Sequence, residues 1–272
     1  MTSLSGLDTD PETTARIAKA LSQPEVYMTP APGSGMLCEN REKQQFWEAQ
    51  FYSALEDFKY LPAGRITSGA GTGRAVTLFN CFVMGTIPDS MSGIFDMLKE
   101  AALTMQQGGG IGYDFSTIRP KNSPVKGVAA DASGPLTFMD VWDAMCRTVM
   151  SAGSRRGAMM GTMRCDHPDI MEFIQAKQDS KRLRMFNLSV LATNDFMDAV
   201  EHNLSWDLVH AVAPANSEVE FVTRERADGK FIYKTVRARD IWEAMMEGTY
   251  GAAEPGVIFI DRINEENNLR GV

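Results

Sequence analysis

Cysteine is scarce in this sequence. The 272 residues contain four, Cys38, Cys81, Cys146 and Cys165, which are too few and too scattered for a disulfide scaffold. No CxxC pair and no cluster of histidine and cysteine has the spacing of metal ligands. We therefore expect reduced thiols and no metal site.

Long hydrophobic runs and excess positive charge are also missing. No apolar run reaches the roughly 18 residues that a membrane-spanning helix requires, and the first residues do not resemble a signal peptide. We expect a cytoplasmic protein without a membrane partner.

The net charge of -8 argues against a broad nucleic-acid surface, because phosphate binding of that kind needs clustered positive charge. Any anionic ligand must be held locally.

The first 60 residues are predicted to be mainly helical. Asp10 and Pro11 start a helix that runs to about Leu21, because Asp caps free amide groups and Pro fits the first helical position. A second helix begins near Arg41 and ends before Pro62. The glycine-rich stretch 64–73 is predicted to be flexible.

The rest of the chain, 61–272, alternates strands with helices. A strand buried on both faces is predicted at 75–84, followed by a helix capped by Asp89 or Ser90. Further strands are predicted at 111–115, 158–163, 186–192 and 256–260, and further helices start at 135, 166–168 and 239. A hairpin around Asp228 and Gly229 joins 220–224 to 230–234. Such alternation is typical of an α/β sheet with helices outside it.

Six sequence blocks in order carry a family resemblance. The sequence resembles ribonucleotide reductase large subunits over about residues 45 to 265, and the fourth block is most similar to the adenosylcobalamin-dependent class II enzymes. A single glycine motif would be a weak signal, but six ordered blocks are specific. The blocks are LPAGRI (61–66), TLFNCFVM (77–84), GGGIGYDFSTIRP (108–120), SRRGAMMGTMRCDHPDI (154–170), FNLSV (186–190) and EPGVIFIDRIN (254–264).

The resemblance implies a fold. We expect residues 61–272 to form the first half of a ten-stranded α/β barrel, preceded by a small helical region over residues 1–60. The family's finger loop, which carries the radical-forming cysteine, is expected beyond residue 272. We expect no ATP-binding cone of the kind that many relatives carry, because few residues precede the first block. We expect this chain alone to be inactive without a C-terminal remainder.

Cys81 is the candidate catalytic residue. The resemblance implies that it is one of two thiols that reduce the ribose, with the second thiol and the radical cysteine beyond residue 272. From the residues alone, a cysteine in an apolar strand is more often a small buried hydrophobe. Neither Cys38 nor Cys146 is placed to substitute, and Cys165 is left as structural.

The resemblance also implies a substrate pocket around Cys81. Asn80 and Gly110 are its candidate residues, because glycine allows a close approach of backbone to ligand. Gly108 is more simply interpreted as a helix cap.

An effector site for a deoxynucleoside triphosphate is the other implied activity. The resemblance places effector sugar and base against the start of a helix and the phosphates against two cations. Without the family, Asp89 is equally well a helix cap and Lys126 a solvated charge. The loop 178–184 matches the segment that relays effector identity, although a charged surface turn has the same composition. The candidate effector residues are Asp89, Ser90, Met91, Arg119 and Lys126.

Two other polar motifs are interpreted structurally. Arg155 and Arg156 follow a glycine and serine turn and are typical of a solvated helix end. His167 precedes Pro168 at a helix start, and no nucleophile motif accompanies it.

The predicted function is therefore reduction of ribonucleotides, diphosphate or triphosphate, to 2'-deoxyribonucleotides. The implied cofactor is adenosylcobalamin, bound mainly outside this chain. Implied partners are a thioredoxin-like or other dithiol reductant, a C-terminal remainder and a second copy in a homodimer. Two alternatives remain: a class I large subunit with a metal-containing radical subunit, and a split-gene nucleotide-binding subunit.

Overall fold

A computed structural model describes residues 11–22, 37–125, 131–149, 157–179, 181–214 and 225–269. The chain forms two compact units, Met1–Asn80 and Cys81–Val272. The division into domains at residue 60 stays a prediction of the sequence.

The first unit is helical. Its elements are α1 (Pro11–Leu21), α2 (Leu37–Leu55), a 3-10 turn (Glu56–Phe58) and α3 (Gly64–Gly69). They bury a small cluster of Ile17, Ala18, Leu55 and Ala70. The two predicted helices are confirmed, with α2 starting four residues earlier than expected.

The prediction that 64–73 is flexible is wrong for its first half, which is α3. Arg16 of α1 donates to the carbonyls of Thr67 and Ala70. These tertiary contacts satisfy backbone groups at the end of the helix, so they override the low helical propensity of glycine.

The second unit is built on a parallel sheet of five strands in the order β1-β2-β3-β4-β7. Helices connect its strands, as the alternating pattern predicts. The elements are β1 (Cys81–Val83), α4 (Met91–Gln106), β2 (Gly110–Asp114), α5 (Pro135–Thr148), β3 (Met159–Arg164), α6 (Ile170–Gln175), β4 (Phe186–Ala192), α7 (Asn194–Glu201), β5 (Ser205–His210), β6 (Phe231–Arg237), α8 (Ala238–Ala252), β7 (Gly256–Phe259) and α9 (Ile260–Glu265).

The core of this unit lies between the sheet and its helices. Apolar residues recur at helical spacing on α4 and α5, and their buried members meet the alternating inward residues of β2 and β3. Trp142 of α5 contacts Tyr113 and Phe115 edge to face, with ring centroids 6.0 and 5.6 Å apart. The predicted α/β class is confirmed, and within the described residues β1 and β7 are the edge strands of the sheet.

The strand predicted at 75–84 is wrong in length and burial. Only Cys81–Val83 is extended in the sheet, and Val83 is 99% exposed. Two physical causes act. Among the described residues β1 pairs on one side only, with β2, and the Thr77 side chain accepts a hydrogen bond from the Phe79 amide, which bends the chain before the strand.

The turn and second strand of the predicted hairpin are described, whereas residues 220–224, its first strand, lie outside the described residues. The turn has Gly229 at φ +76, and β6 follows it as predicted. Its antiparallel partner is β5, which the sequence analysis did not predict.

Among the described helices, none combines the length and apolar character needed to cross a membrane.

Candidate functional site

A cavity of about 310 Å³ lies where α4 and α5 both begin. Four of the five predicted effector residues line it together, and Lys126 lies outside the described residues. The residues before and within α5 form the other wall, which was not predicted from the sequence. The lining residues are Asp89, Ser90, Met91, Ile94, Ile118, Arg119, Val125, Asp131, Ala132, Ser133, Gly134 and Phe138.

The two helix starts give the cavity its electrostatic character. The Ser90 hydroxyl caps α4 by accepting from the Gly93 amide at 3.2 Å, and Gly134 enters α5 at φ +81 directly before Pro135. Neither helix has an acidic residue in its first turn. Helix N-termini carry partial positive charge and free amide groups, so two such ends at one cavity favour an anionic ligand.

Arg119 and Asp89 form the central pair of the cavity. The Arg119 amide donates to one carboxylate oxygen of Asp89 at 3.0 Å, and Nε donates to the other at 2.9 Å. Nη1 donates to the Pro124 carbonyl at 2.9 Å, and Nη2 to the Asp89 carbonyl at 3.4 Å. A guanidinium has five N–H donors, and these contacts leave one on each terminal nitrogen for a ligand.

A buried polar layer supports this wall from behind. His167 Nε2 donates to the Ile118 carbonyl at 3.1 Å, and Nδ1 accepts from the Asp169 amide at 3.0 Å. Burial lowers the pKa of His167 to about 4, so the ring is neutral. The His210 ring lies 5.6 Å away, edge to face. His167 is therefore a structural residue, in agreement with the sequence.

The thiol edge, which we define as Cys81 with Gly109 and Gly110, is the second candidate site. Cys81 starts β1, is exposed, and pairs in register with Gly110. A Cβ atom at Gly109 would lie 2.7 Å from the Phe82 ring, so any larger residue would force the ring or the backbone to shift. Asn80, the last residue of the first unit, is exposed.

The neighbouring glycine has a different role. Gly108 adopts φ +89, and its amide donates to the Met105 carbonyl at 2.9 Å, which ends α4. This is the helix-cap interpretation made from the sequence.

Cys81 differs chemically from two other thiols. Burial raises the pKa of Cys146 to about 11, with Asp143 adding to the effect, and burial raises that of Cys165 to about 11. Because the thiolate is the reactive form, both are inert at neutral pH. Cys81 is the exposed thiol among the three whose side chains the structure describes.

The loop 178–184 is described except for Ser180. Arg182 donates to both carboxylate oxygens of Asp140 at 3.2 and 3.1 Å. Leu183 is 1% exposed, at φ +50. The loop is thus attached to α5, whereas its charged composition alone suggests a solvated turn.

Two of the three histidines, His167 and His210, are engaged inside the protein. His167 uses both ring nitrogens as above, and His210 is buried and accepts from the Val212 amide at 3.1 Å. His202 lies exposed at the end of α7. Within the described ranges no cluster of three metal-ligating side chains occurs. We therefore assign no residue of this chain to the cofactor.

The family match begins just before the thiol edge. The family described as "Ribonucleotide reductase, barrel domain" matches residues 79–272. The chain therefore belongs to the ribonucleotide reductase family and carries part of its barrel domain.

Individual relatives agree with this assignment. A vitamin B12-dependent ribonucleoside-diphosphate reductase of Thermoplasma acidophilum is 37% identical over 82% of this chain, and one of Mycobacterium tuberculosis is 34% identical over 83%. A ribonucleoside-diphosphate reductase subunit alpha of Helicobacter pylori is 28% identical over 85%. The matches span 27%, 30% and 30% of those relatives, so the chain covers less than a third of their length.

Proposed function

We propose that this chain contributes a redox thiol and an effector site to a reductase that converts ribonucleoside diphosphates to 2'-deoxyribonucleotides. The observation that carries the proposal is the position of Cys81. It is an exposed thiol at the first residue of the first strand of the matched domain, side by side with Gly110. The diphosphate substrate is taken from the names of the relatives.

The chemistry requires two thiols. Reduction replaces the ribose C2'–O bond by C2'–H, and the hydroxyl leaves as water. Two electrons come from two thiols, which become a disulfide. Cys81 supplies one of them, and a separate dithiol reductant restores it. Because Cys146 and Cys165 are buried and protonated, the second thiol comes from other parts of the reductase.

Substrate contacts in this chain come from the thiol edge. Gly110 has no side chain, so a ribose can approach the backbone beside Cys81. Asn80, which precedes Cys81, offers an amide that can hydrogen-bond a sugar hydroxyl.

Adenosylcobalamin is the cofactor we favour, since the relatives at 37% and 34% identity are named vitamin B12-dependent, whereas the one at 28% is not. When bound, it supplies the radical that starts the reaction. The residues that hold it belong to other parts of the reductase.

The cavity is proposed to bind a deoxynucleoside triphosphate that controls specificity. Asp89, Ser90 and Met91 face the sugar and base, while the free N–H groups of Arg119 and the cation of Lys126 meet the phosphates. The two helix starts supply amide donors for the same anion. The site is expected to lie at a homodimer interface.

Reconstitution tests the reductase activity. The chain is combined with a polypeptide that supplies the remaining part of a class II reductase, and deoxynucleotide formation is measured with a dithiol, with and without adenosylcobalamin. Turnover that depends on both the chain and the cofactor is expected. Turnover that needs a metal-containing radical subunit instead would establish the class I alternative, and no turnover with either would contradict the proposal.

Ligand titration tests the effector site. Arg119→Ala is expected to weaken dTTP binding at least ~10-fold, because a charge-assisted phosphate contact contributes about 1.5–3 kcal/mol. The matched control is Arg184→Ala, an exposed arginine of the loop, which should leave the Kd unchanged. Equal losses for dTTP and for thymidine would show that Arg119 does not meet the phosphates.

A further inference from the structure

One wall of the cavity is a continuous stretch of chain, residues 118–125, which we call the arginine segment. It contributes Ile118, Arg119 and Val125 to the lining. The whole segment is described, and none of its residues belongs to a helix or a strand. Its course therefore depends on hydrogen bonds to other parts of the chain.

The far end of the arginine segment pairs with the residues that lead into α5. The Asn122 amide donates to the Ala132 carbonyl at 2.8 Å, and the Ala132 amide donates to the Ser123 carbonyl at 2.8 Å. Since Ala132 also lines the cavity, these two bonds join both halves of the wall. Arg119 is tied to the same turn, because its Nη1 donates to the Pro124 carbonyl. The position of this turn therefore helps to set the position of the guanidinium.

A pair of hydroxyl groups supports the turn from behind. Ser123 is 0% exposed, and its hydroxyl lies 2.9 Å from the hydroxyl of Tyr233. The Tyr233 hydroxyl in turn donates to the Val212 carbonyl at 2.8 Å. A hydroxyl group has one proton to donate, so Tyr233 accepts from Ser123 and donates to Val212. The direction of both hydrogen bonds is thereby fixed.

The strands β5 and β6 carry this support. Tyr233 lies on β6, and Val212 comes two residues after the end of β5, where its amide donates to His210 Nδ1 at 3.1 Å. Both strands are fully described, and no residue of either lines the cavity. The strand pair therefore acts on the arginine segment from outside the binding site.

We propose that Tyr233 is a positioning residue of the cavity: through Ser123 it holds the arginine segment so that the free N–H groups of Arg119 face the phosphates of the ligand. This role rests on the proposed effector site, whereas the support by the hydroxyl pair does not. Without the Tyr233 hydroxyl, the buried Ser123 hydroxyl loses its acceptor, which is unfavourable. The turn at Pro124 then loosens, and with it the contact that orients Arg119.

Hydrogen exchange of the full chain tests the support without a ligand. Tyr233→Phe keeps the ring and removes the hydroxyl. We expect amide exchange in residues 118–125 to become at least ~5-fold faster, with no change in β3 or β4. Tyr250→Phe is the matched control, because Tyr250 is 96% exposed on α8, and it should leave the exchange unchanged. Unchanged exchange in Tyr233→Phe would overturn the support.

Titration with dTTP tests the role in binding. Tyr233→Phe is expected to raise the Kd for dTTP at least ~5-fold, because a charge-assisted phosphate contact depends on the orientation of the guanidinium. The Kd for thymidine, which has no phosphate, should stay within ~2-fold. In an Arg119→Ala background, Tyr233→Phe should have no further effect, since Tyr233 acts through Arg119.

The outcomes separate the role of Tyr233 from the effector site itself. If dTTP binds the wild type and Tyr233→Phe equally well, the positioning role is overturned and the effector site remains. An equal rise in the Kd for thymidine, or additive losses in the double variant, also overturns the positioning role. If the wild type binds no dTTP, the effector site and the positioning role both fail, while the exchange measurement still decides whether Tyr233 supports the arginine segment.

Discussion

The cavity and the thiol edge differ in how completely the described residues build them. Around the cavity, Asp89, Ser90 and Arg119 each have hydrogen-bond partners that fix their orientation. At the thiol edge, Cys81 is exposed, and β1 has a neighbour on one side only among the described strands. One site is lined by side chains that are held in place, and the other presents a thiol on an open edge.

This difference suits the two proposed roles. The proposed effector site must discriminate among ligands and needs well-held walls, which the starts of α4 and α5 provide. The proposed redox thiol must be reached by a substrate and a reductant, so it needs access. The comparison therefore predicts large losses of turnover for changes at the thiol edge. It predicts smaller losses of binding or stability for changes around the cavity.

The largest effect is expected at Cys81. In the reconstituted reductase, Cys81→Ser should lower turnover on the order of 10⁴-fold, because a hydroxyl cannot replace a thiol that donates electrons. Binding of dTTP should be unchanged, since the cavity is intact. The measurement is deoxynucleotide formation under saturating substrate, with dTTP binding measured on the same preparation.

Cys165→Ala is the matched control. Cys165 is 0% exposed and lies 4.0 Å from the Thr193 hydroxyl, so its loss should affect stability and leave the turnover of the folded fraction within ~3-fold. A loss as large as that of Cys81→Ser would show that the thiols have been assigned to the wrong roles.

Thiol labelling gives the next largest contrast. In a Cys38→Ser background, iodoacetamide at pH 8 should modify Cys81 at least ~10²-fold faster than Cys146 or Cys165. With a pKa of about 11, only about one buried thiol in a thousand is ionised at that pH. Peptide mass spectrometry measures the three rates, and similar rates would contradict the comparison.

Acid should weaken the wall behind the cavity. The pKa of His167 is about 4 in the folded chain and near 6.5 when unfolded. As pH falls through this window, the unfolded chain binds the proton first, so stability is full above about pH 6.5 and decreases towards pH 4. The contribution of His167 to this loss is expected to reach about 3 kcal/mol, and His210, whose pKa burial also lowers to about 4, adds to it. Urea unfolding at several pH values measures it.

His167→Gln should flatten part of that decrease, whereas His202→Gln should retain it. His202 is exposed directly after α7 and serves as the matched control. If the free energy of unfolding falls equally steeply with pH in both variants, groups other than His167 cause the acid sensitivity.

The smallest effect concerns the cap of α4. Ser90→Ala removes the acceptor of the Gly93 amide and should cost about 1 kcal/mol of unfolding free energy. Ser92 lies on the exposed side of the same helix, where its hydroxyl donates to Asp96. Ser92→Ala should therefore cost less. Urea midpoints compare the two variants, and a larger cost at Ser92 would contradict the assignment of the cap.

Much of this architecture can be predicted from local pattern. The limits of α5 and β4 follow from Pro135 and from the apolar run at 186–192, because these signals act within a few residues. The resemblance pointed to Asp89, Ser90, Met91 and Arg119, and the structure brings these four to one cavity. Their ligand stays a prediction.

Other features depend on contacts far apart in the chain. The helix α3 relies on Arg16, and the path of the loop 178–184 relies on the contact of Arg182 with Asp140, 42 residues away. The short, exposed β1 also could not be predicted, since an apolar run such as 75–84 does not reveal on how many sides a strand is paired. For the cavity wall formed by Ser133, Gly134 and Phe138, the sequence offered one signal, which is the helix start at Gly134 and Pro135.

The most direct measurement is a single turnover of the reconstituted reductase without external reductant, followed by mapping of disulfides. The account predicts that each deoxynucleotide formed is matched by one disulfide that includes Cys81. Deoxynucleotide formation with Cys81 still a free thiol would contradict it.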